Sequence, residues 1–266
     1  MTPRTTWMAL AAVLALSACE TVPPPPPPPE EAAAPYPAFI ESALRDPKRP
    51  AADMARDSAR KPEQVLVFSD VRPGMKIGEL IPGGGYFTRI FSKAVGAKGR
   101  VYAYVPAEFA AQANREPAVS AVTRDPAYAN TRMIVDTMPR FSTPEPLDLV
   151  FTAQNYHDLH TDRMGPVDVA EMNRRIFAAL KPGGVYVVID HSAKAGSGLT
   201  AANSLHRIDP AIVRREVEAA GFVFEGQAQF LRDRKDPLTA SVFDSSIRGE
   251  TDQFVYKFRK PGRARR

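Results

Sequence analysis

Seven apolar runs of strand length recur along the chain with helix-like stretches between several of them. This alternation constrains the fold more than any other feature. The runs cover residues 76–80, 100–105, 132–137, 148–152, 185–190, 222–231 and 253–259. Between the first two, Phe87, Ile90, Phe91 and Ala94 stand at helical spacing; between the fourth and fifth, Met172, Ile176 and Leu180 line one face. Asp209 as N-cap, Pro210 at the first helical position and Gly221 as C-cap bound a helix before the sixth run. Parallel strands need crossovers, which helices supply. The pattern therefore predicts an α/β domain with a doubly wound, seven-stranded, mostly parallel sheet. Its last two runs form a closing hairpin-like pair, with the last strand antiparallel. Residues 36–72 read as helical, with Pro62 at a helix start and Val65, Leu66 and Phe68 on a buried side.

Sheets of this kind bind ligands outside the carboxyl ends of their strands, near the point where strand order reverses. Directly after the first run the chain reads Glu79-Leu-Ile-Pro-Gly-Gly-Gly-Tyr86. Gly83, Gly84 and Gly85 permit positive φ and a close approach of backbone to ligand. Tyr86 then opens the following helix.

These residues, with Asp148-Leu-Val-Phe-Thr-Ala-Gln-Asn-Tyr-His157 and Leu180-Lys-Pro-Gly-Gly-Val-Tyr-Val-Val-Ile189, resemble class I S-adenosylmethionine (SAM)-dependent methyltransferases. The resemblance runs over residues 60–260. More narrowly, YHDLH, DHSA and LHRIDP resemble a bacterial group described only as predicted methyltransferases. The resemblance implies a Rossmann-like methyltransferase fold and SAM as cofactor. It places Glu79, Gly83, Gly84, Gly85, Tyr86 and Asn155 at the cofactor end. Two positions depart from the family pattern: Ile81 stands where a glycine is usual, and Val105 stands where a carboxylate binds the cofactor ribose. Glu108 is the nearest carboxylate to that place. A missing charged hydrogen bond of this kind costs roughly 1.5–3 kcal/mol.

All four histidines, His157, His160, His191 and His206, follow the fourth or fifth strand, with Asp158, Asp190 and Asp209 nearby. Two chemistries use such a cluster. In methyl transfer the sulfonium already carries the activated group, so the protein positions the acceptor and removes its proton. His157 is then the first candidate base, with Asp158 as its orienter and His191 as the alternative base. Tyr156, His160, His206 and Arg207 face the acceptor. In the other chemistry, His157 and His160 ligate a divalent metal with His191 or Asp190. Their spacing lacks the signature of a dedicated metal site, so no metal is expected. Arg207 and Arg248 either clamp a carboxylate or hold their own loops.

The chain ends add an address. Residues 1–18 read as a signal peptide, with Arg4 before an apolar stretch too short to span a bilayer. Leu16-Ser-Ala-Cys19 resembles a bacterial lipobox, which implies lipidation of Cys19, the one cysteine. Residue 20 is Glu, which leans towards the outer membrane. Residues 19–35 hold seven consecutive prolines and read as a tether, which a polyproline rise of about 3.1 Å per residue extends roughly 20 Å from the lipid. Residues 36–260 form the domain, and 261–266 a basic tail. The net charge of +5 owes much to that tail, and no basic helix with interleaved aromatics points to nucleic acid. The expectation is a SAM-dependent methyltransferase on the periplasmic face of a bacterial envelope, acting on a small-molecule or envelope acceptor. The alternative is a non-catalytic envelope binding module that keeps the fold.

Overall fold

The computed structural model describes residues 36–113 and 116–262. The expected signal peptide, Cys19, the tether and residues 263–266 of the tail lie outside the described residues. Among the described residues, no helix is long and apolar enough to cross a membrane.

The expected runs are strands: β1 (Lys76–Leu80), β2 (Arg100–Pro106), β3 (Thr131–Asp136), β4 (Leu147–Ala153), β5 (Leu180–His191), β6 (Val223–Ala228) and β7 (Gln253–Arg259). They form one sheet in the order β3-β2-β1-β4-β5-β7-β6. The pairs β1–β2, β1–β4, β2–β3 and β4–β5 are parallel, whereas β7 runs antiparallel to both β5 and β6. This is the predicted doubly wound sheet. β5 starts at Leu180 instead of residue 185, with a register shift opposite Leu147 and Leu149.

The residues before β1 make four short helices instead of a longer one: α1 (Ala38–Leu44), α2 (Ala51–Met54), α3 (Asp57–Arg60) and α4 (Pro62–Phe68). Pro37 and Pro50 stand immediately before α1 and α2, and Pro62 opens α4. Each fixes its own φ and disfavours helix in the residue before it, which breaks the run. α5 (Tyr86–Val95) follows β1, and α6 (Ala107–Ala113) and α7 (Ser120–Thr123) follow β2. α8 (Val169–Ala179) crosses from β4 to β5, and α9 (Ala202–Leu205) and α10 (Pro210–Ala219) lie between β5 and β6. Asp168 and Asp209 cap α8 and α10 by accepting from Glu171 and Ala211 backbone N–H groups. Ala220 is the C-cap of α10, and Gly221 follows it at φ +102°.

Strand alternation splits the core between the two sheet faces. Along β5, Val185, Val187 and Ile189 pack with α1, α4 and α5, whereas Tyr186 and Val188 pack with α8 and α10. Each large apolar side chain fully buried this way contributes ~1.5–3 kcal/mol. The two helical layers leave the carboxyl ends of β1, β4 and β5 to carry the site.

Candidate functional site

β1 leaves the sheet through an unusual turn. Ile81 has φ +52°, Gly83 +56° and Gly85 +81°. For a residue with a Cβ this region costs ~1–2 kcal/mol, and a β-branched side chain makes it rarer still. The position at which the family pattern places glycine thus keeps a glycine-like backbone while carrying isoleucine. Neighbouring strands hold it there. The Ile81 amide donates to the Tyr104 carbonyl at 2.9 Å, and the Ile81 carbonyl accepts from Asn155 Nδ2 at 3.1 Å. Asn155 therefore staples the β1 and β4 loops across the switch point.

The three glycines divide in role. Gly83 and Gly84 are exposed, and a Cβ on either meets nothing within 4 Å. Gly85 is buried, and its Cβ would lie 2.6 Å from Val122 Cγ2 of α7. The expectation that Gly85 serves cofactor approach is corrected: its bareness is needed for packing α5 against α7.

Two cavities share the floor of Ile81, Pro82, Gly83 and Gly84. One, of about 200 Å³, is lined further by Arg56, Arg60, Glu79, Tyr86, Gln154 and Asn155. The other, of about 360 Å³, runs past Val105, Phe109, Glu116 and Arg163 and is more apolar. Together they fall within the ~300–1,000 Å³ typical of small-molecule sites.

The smaller cavity is bipolar. Glu79 is 3% exposed and accepts from Thr88 Oγ1 at 2.5 Å. Burial pushes its carboxyl up to about 8, against the opposing pull of the Thr88 hydrogen bond and the charges of Arg60 and Arg89. Arg60, from α3, donates to Gln154 Oε1 at 2.7 Å and lies over the Tyr86 ring at 4.6 Å. Desolvation, then repulsion from Arg56, lowers its pKa. Tyr86 supports these arginines, its hydroxyl donating to Asp57 Oδ1 at 2.6 Å. Neither Arg60 nor Arg56 carries a sequence signal, because a helix surface arginine belongs to no motif.

At the far end, Glu108 is absent from the lining of the larger cavity. Its Oε1 accepts from the Met138 amide at 3.3 Å. Glu116, which pairs with Arg124, is the carboxylate that lines the larger cavity.

The histidines separate into a nest and an outlier. His157, in the 3-10 turn His157–His160 after β4, is 3% exposed. Its Nδ1 lies 2.9 Å from Asp190 Oδ1, and Asp190 Oδ2 accepts the His157 amide at 2.7 Å. The orienter is therefore Asp190 at the end of β5, which corrects the assignment to Asp158. Asp158 lies on the other edge of the ring, its Oδ1 3.4 Å from Nε2. Burial pulls the His157 pKa down, but Asp190 and Asp158 outweigh it and the net shift is upward. Burial also raises Asp158, whereas the His157 charge and hydrogen bond overcome burial and lower Asp190.

His191 pairs through Nδ1 with Thr251 Oγ1 at 2.8 Å, and burial drives its pKa down to about 4. His206 completes the nest, its ring 5.4 Å from that of His157. It takes the left-handed conformation, φ +54°, at the end of α9. The loop is pinned there because the Ile208 amide donates to the His191 carbonyl at 3.0 Å and Ser192 bridges to Ile208.

Three residues expected at the acceptor turn elsewhere. His160 is the outlier, with Nε2 3.2 Å from Glu216 of α10. Tyr156 is 1% exposed and held by Glu216 and Asn173 at 2.9 Å each, inside the core. Its polar chain neighbours Asn155 and His157 concealed this, since an aromatic hydroxyl can serve either a pocket or a core. Arg207 is fully buried and grips Asp236 at 2.8 Å and the carbonyls of Ser192 and Ala240 at 3.0 Å. It latches its loop instead of clamping an acceptor. Arg248 is exposed.

No protein-family model matches the chain, and no curated protein matches it. Solved structures do. A SAM-dependent methyltransferase from Aquifex aeolicus superposes with a TM-score of 0.53 at 20% identity, covering 83% of this chain and 96% of that one. A SAM-dependent methyltransferase from Mesorhizobium loti gives 0.52 at 16% identity, over 77% of this chain and 99% of that one. The 4+2 cyclase SpnF gives 0.54 at 15% identity, over 80% and 82%. At such identities the likeness establishes the architecture, and one architecture hosts different chemistries. The fold is the Rossmann-like fold of SAM-dependent methyltransferases.

Proposed function

We propose that the protein is a SAM-dependent methyltransferase anchored to the periplasmic face of a bacterial envelope. The observation that carries this is the pair of cavities on one Ile81–Gly84 floor. In the smaller, Glu79, whose carboxyl a bound ammonium would ionise, and the cationic Arg60 face the ammonium and carboxylate of an amino-acid end. In the larger, Val105 and Phe109 offer apolar walls to an adenine ring. A ligand long enough to fill both places its middle over Gly83 and Gly84, where the backbone is bare.

When bound, SAM would supply a methyl group already activated on a sulfonium, and an acceptor taking it would have to lose a proton. The nest of His157, Asp158, Asp190 and His206 supplies the groups for that proton. Asp190 fixes the ring of His157, and His191 is the second base candidate. Glu116, which lines the larger cavity, is the carboxylate offered there to a ribose. Val105 at the ribose position and the cyclase among the structural neighbours favour a second reading, a binding module that retains the fold without methyl transfer. Lipidation of Cys19 and the outer-membrane location rest on the lipobox resemblance alone.

Calorimetric titration of the purified protein with SAM and with S-adenosylhomocysteine tests the cofactor assignment. Saturable binding of both, weakened at least ~10-fold in Arg60→Ala by loss of a charged hydrogen bond, supports it. Absence of heat with either compound at millimolar concentration refutes it.

A further inference from the structure

His157, Asp158 and His206 converge from two loops onto one point. Asp158 Oδ1 is 3.4 Å from His157 Nε2 and 3.9 Å from His206 Nδ1. One ligand atom from each residue lies within 4.8 Å of the others. Around a metal with bonds of ~2.1 Å, tetrahedral ligand atoms stand roughly 3.4 Å apart, so small side-chain movements close the set.

The surroundings support coordination. Asp190 accepts from the far nitrogen of His157 at 2.9 Å and is itself fixed by the His157 and His191 amides at 2.7 Å each. A carboxylate behind a histidine is the arrangement that orients metal-bound imidazoles and raises their basicity. With Nδ1–H committed to Asp190, the lone pair on Nε2 points at the Asp158 carboxylate. Two acceptors facing each other need a cation between them. A metal ion bound there would fill that place.

We infer that His157, Asp158 and His206 form a site for a divalent first-row transition metal, with Asp190 as its positioning carboxylate. Two imidazoles and one carboxylate leave at least one position open, as in catalytic sites and unlike closed structural ones. Accessibility is graded to match: side-chain exposure rises from 4% for His157 to 16% for Asp158 and 25% for His206. The open side carries Phe243, 60% exposed, with its ring 4.7 Å from that of His206. Arg163, which lines the larger cavity, bears on the charges of both Asp158 and His206. The metal would therefore sit beside the proposed cofactor crevice. The expectation of no metal rested on chain spacing, which cannot show that the third ligand arrives from the loop after β5. The site stands on its own geometry and is testable without SAM; with the metal bound, His157 would be a ligand and His191 would remain as the base candidate.

The test uses the full chain in detergent, without an affinity tag, stripped by a chelator and then titrated with Co²⁺ followed by Zn²⁺. One cobalt per chain, with visible ligand-field bands that zinc abolishes, is expected. His206→Asn keeps a residue tolerant of the left-handed backbone, and with Asp158→Asn it should weaken cobalt binding at least ~100-fold. Asp190→Asn should weaken it by ~10–100-fold. His160→Ala should bind as the unmodified chain does, since His160 sits on Glu216. Circular dichroism confirms that each variant is folded. The inference is overturned if the unmodified chain binds no cobalt at micromolar concentration. It is equally overturned if folded His206→Asn binds undiminished, or if His160→Ala loses as much affinity as the ligand variants.

Discussion

Glu79 gives the sharpest quantitative prediction, because a carboxyl held at about 8 inside the fold makes stability depend on pH in an uncommon direction. Its ordinary value is 4.5, so between pH 4.5 and 8 the folded chain keeps a proton that the unfolded chain releases. A folded value raised above the unfolded one gives a contribution fully present below pH 4.5 and lost as pH rises through 8. Stability should fall by ~1.4 kcal/mol for each pH unit inside this window, and by no more than ~5 kcal/mol across it. Glu79→Gln removes the proton exchange while its amide oxygen keeps the hydrogen bond from Thr88. The groups facing Glu79, Thr88, Arg60 and Arg89, are unchanged in the variant. Urea unfolding of both proteins at a series of pH values, taken as a difference, cancels every other titrating group. The difference should slope steeply from pH 5 to 8 and flatten beyond. A difference that stays constant over that range refutes the placement of a neutral carboxyl at the end of β1. The same proton offers a second reading of ligand binding. A cationic ammonium beside Glu79 should ionise it, so calorimetry near pH 6.5 in buffers of different ionisation enthalpy should register about one proton released.

Gly85→Val should destabilise the domain by about 2–4 kcal/mol, from its positive φ and the clash with Val122, as read from its melting transition. Gly84→Ala, which meets nothing within 4 Å, should instead melt normally and weaken SAM binding; normal affinity would make the glycine loop a turn and nothing more. Arg207→Ala should cost ~3–5 kcal/mol by leaving Asp236 buried without its partner. A folded Arg207→Ala variant with unchanged stability and only a weakened acceptor would restore the role first expected for it. Cys19→Ser should abolish incorporation of labelled fatty acid, and continued acylation would remove the lipoprotein assignment.

Sheet and helices were legible in the sequence because a strand buried on both faces reads as a continuous apolar run and a helix buried on one face reads as a period. Val185 to Ile189 form such a run whether or not the partner strands are known. The crevice was legible for a similar reason: Glu79, Gly83 and Asn155 stand at strand ends that the topology must bring to one edge. Pairings between loops leave no such trace. Nothing in chain order shows that Asp190 instead of Asp158 orients His157, that Arg60 reaches across from α3, or that Glu116 instead of Glu108 lines the larger cavity. Gly85 and Arg207 carry the same lesson in reverse, since a bare backbone or a guanidinium can answer to a neighbour's methyl group or a buried carboxylate as readily as to a ligand. Periodicity is a local property of the chain and the sequence by itself determined it. Which polar groups meet is set by the packing of distant segments, so only the tertiary structure could decide it.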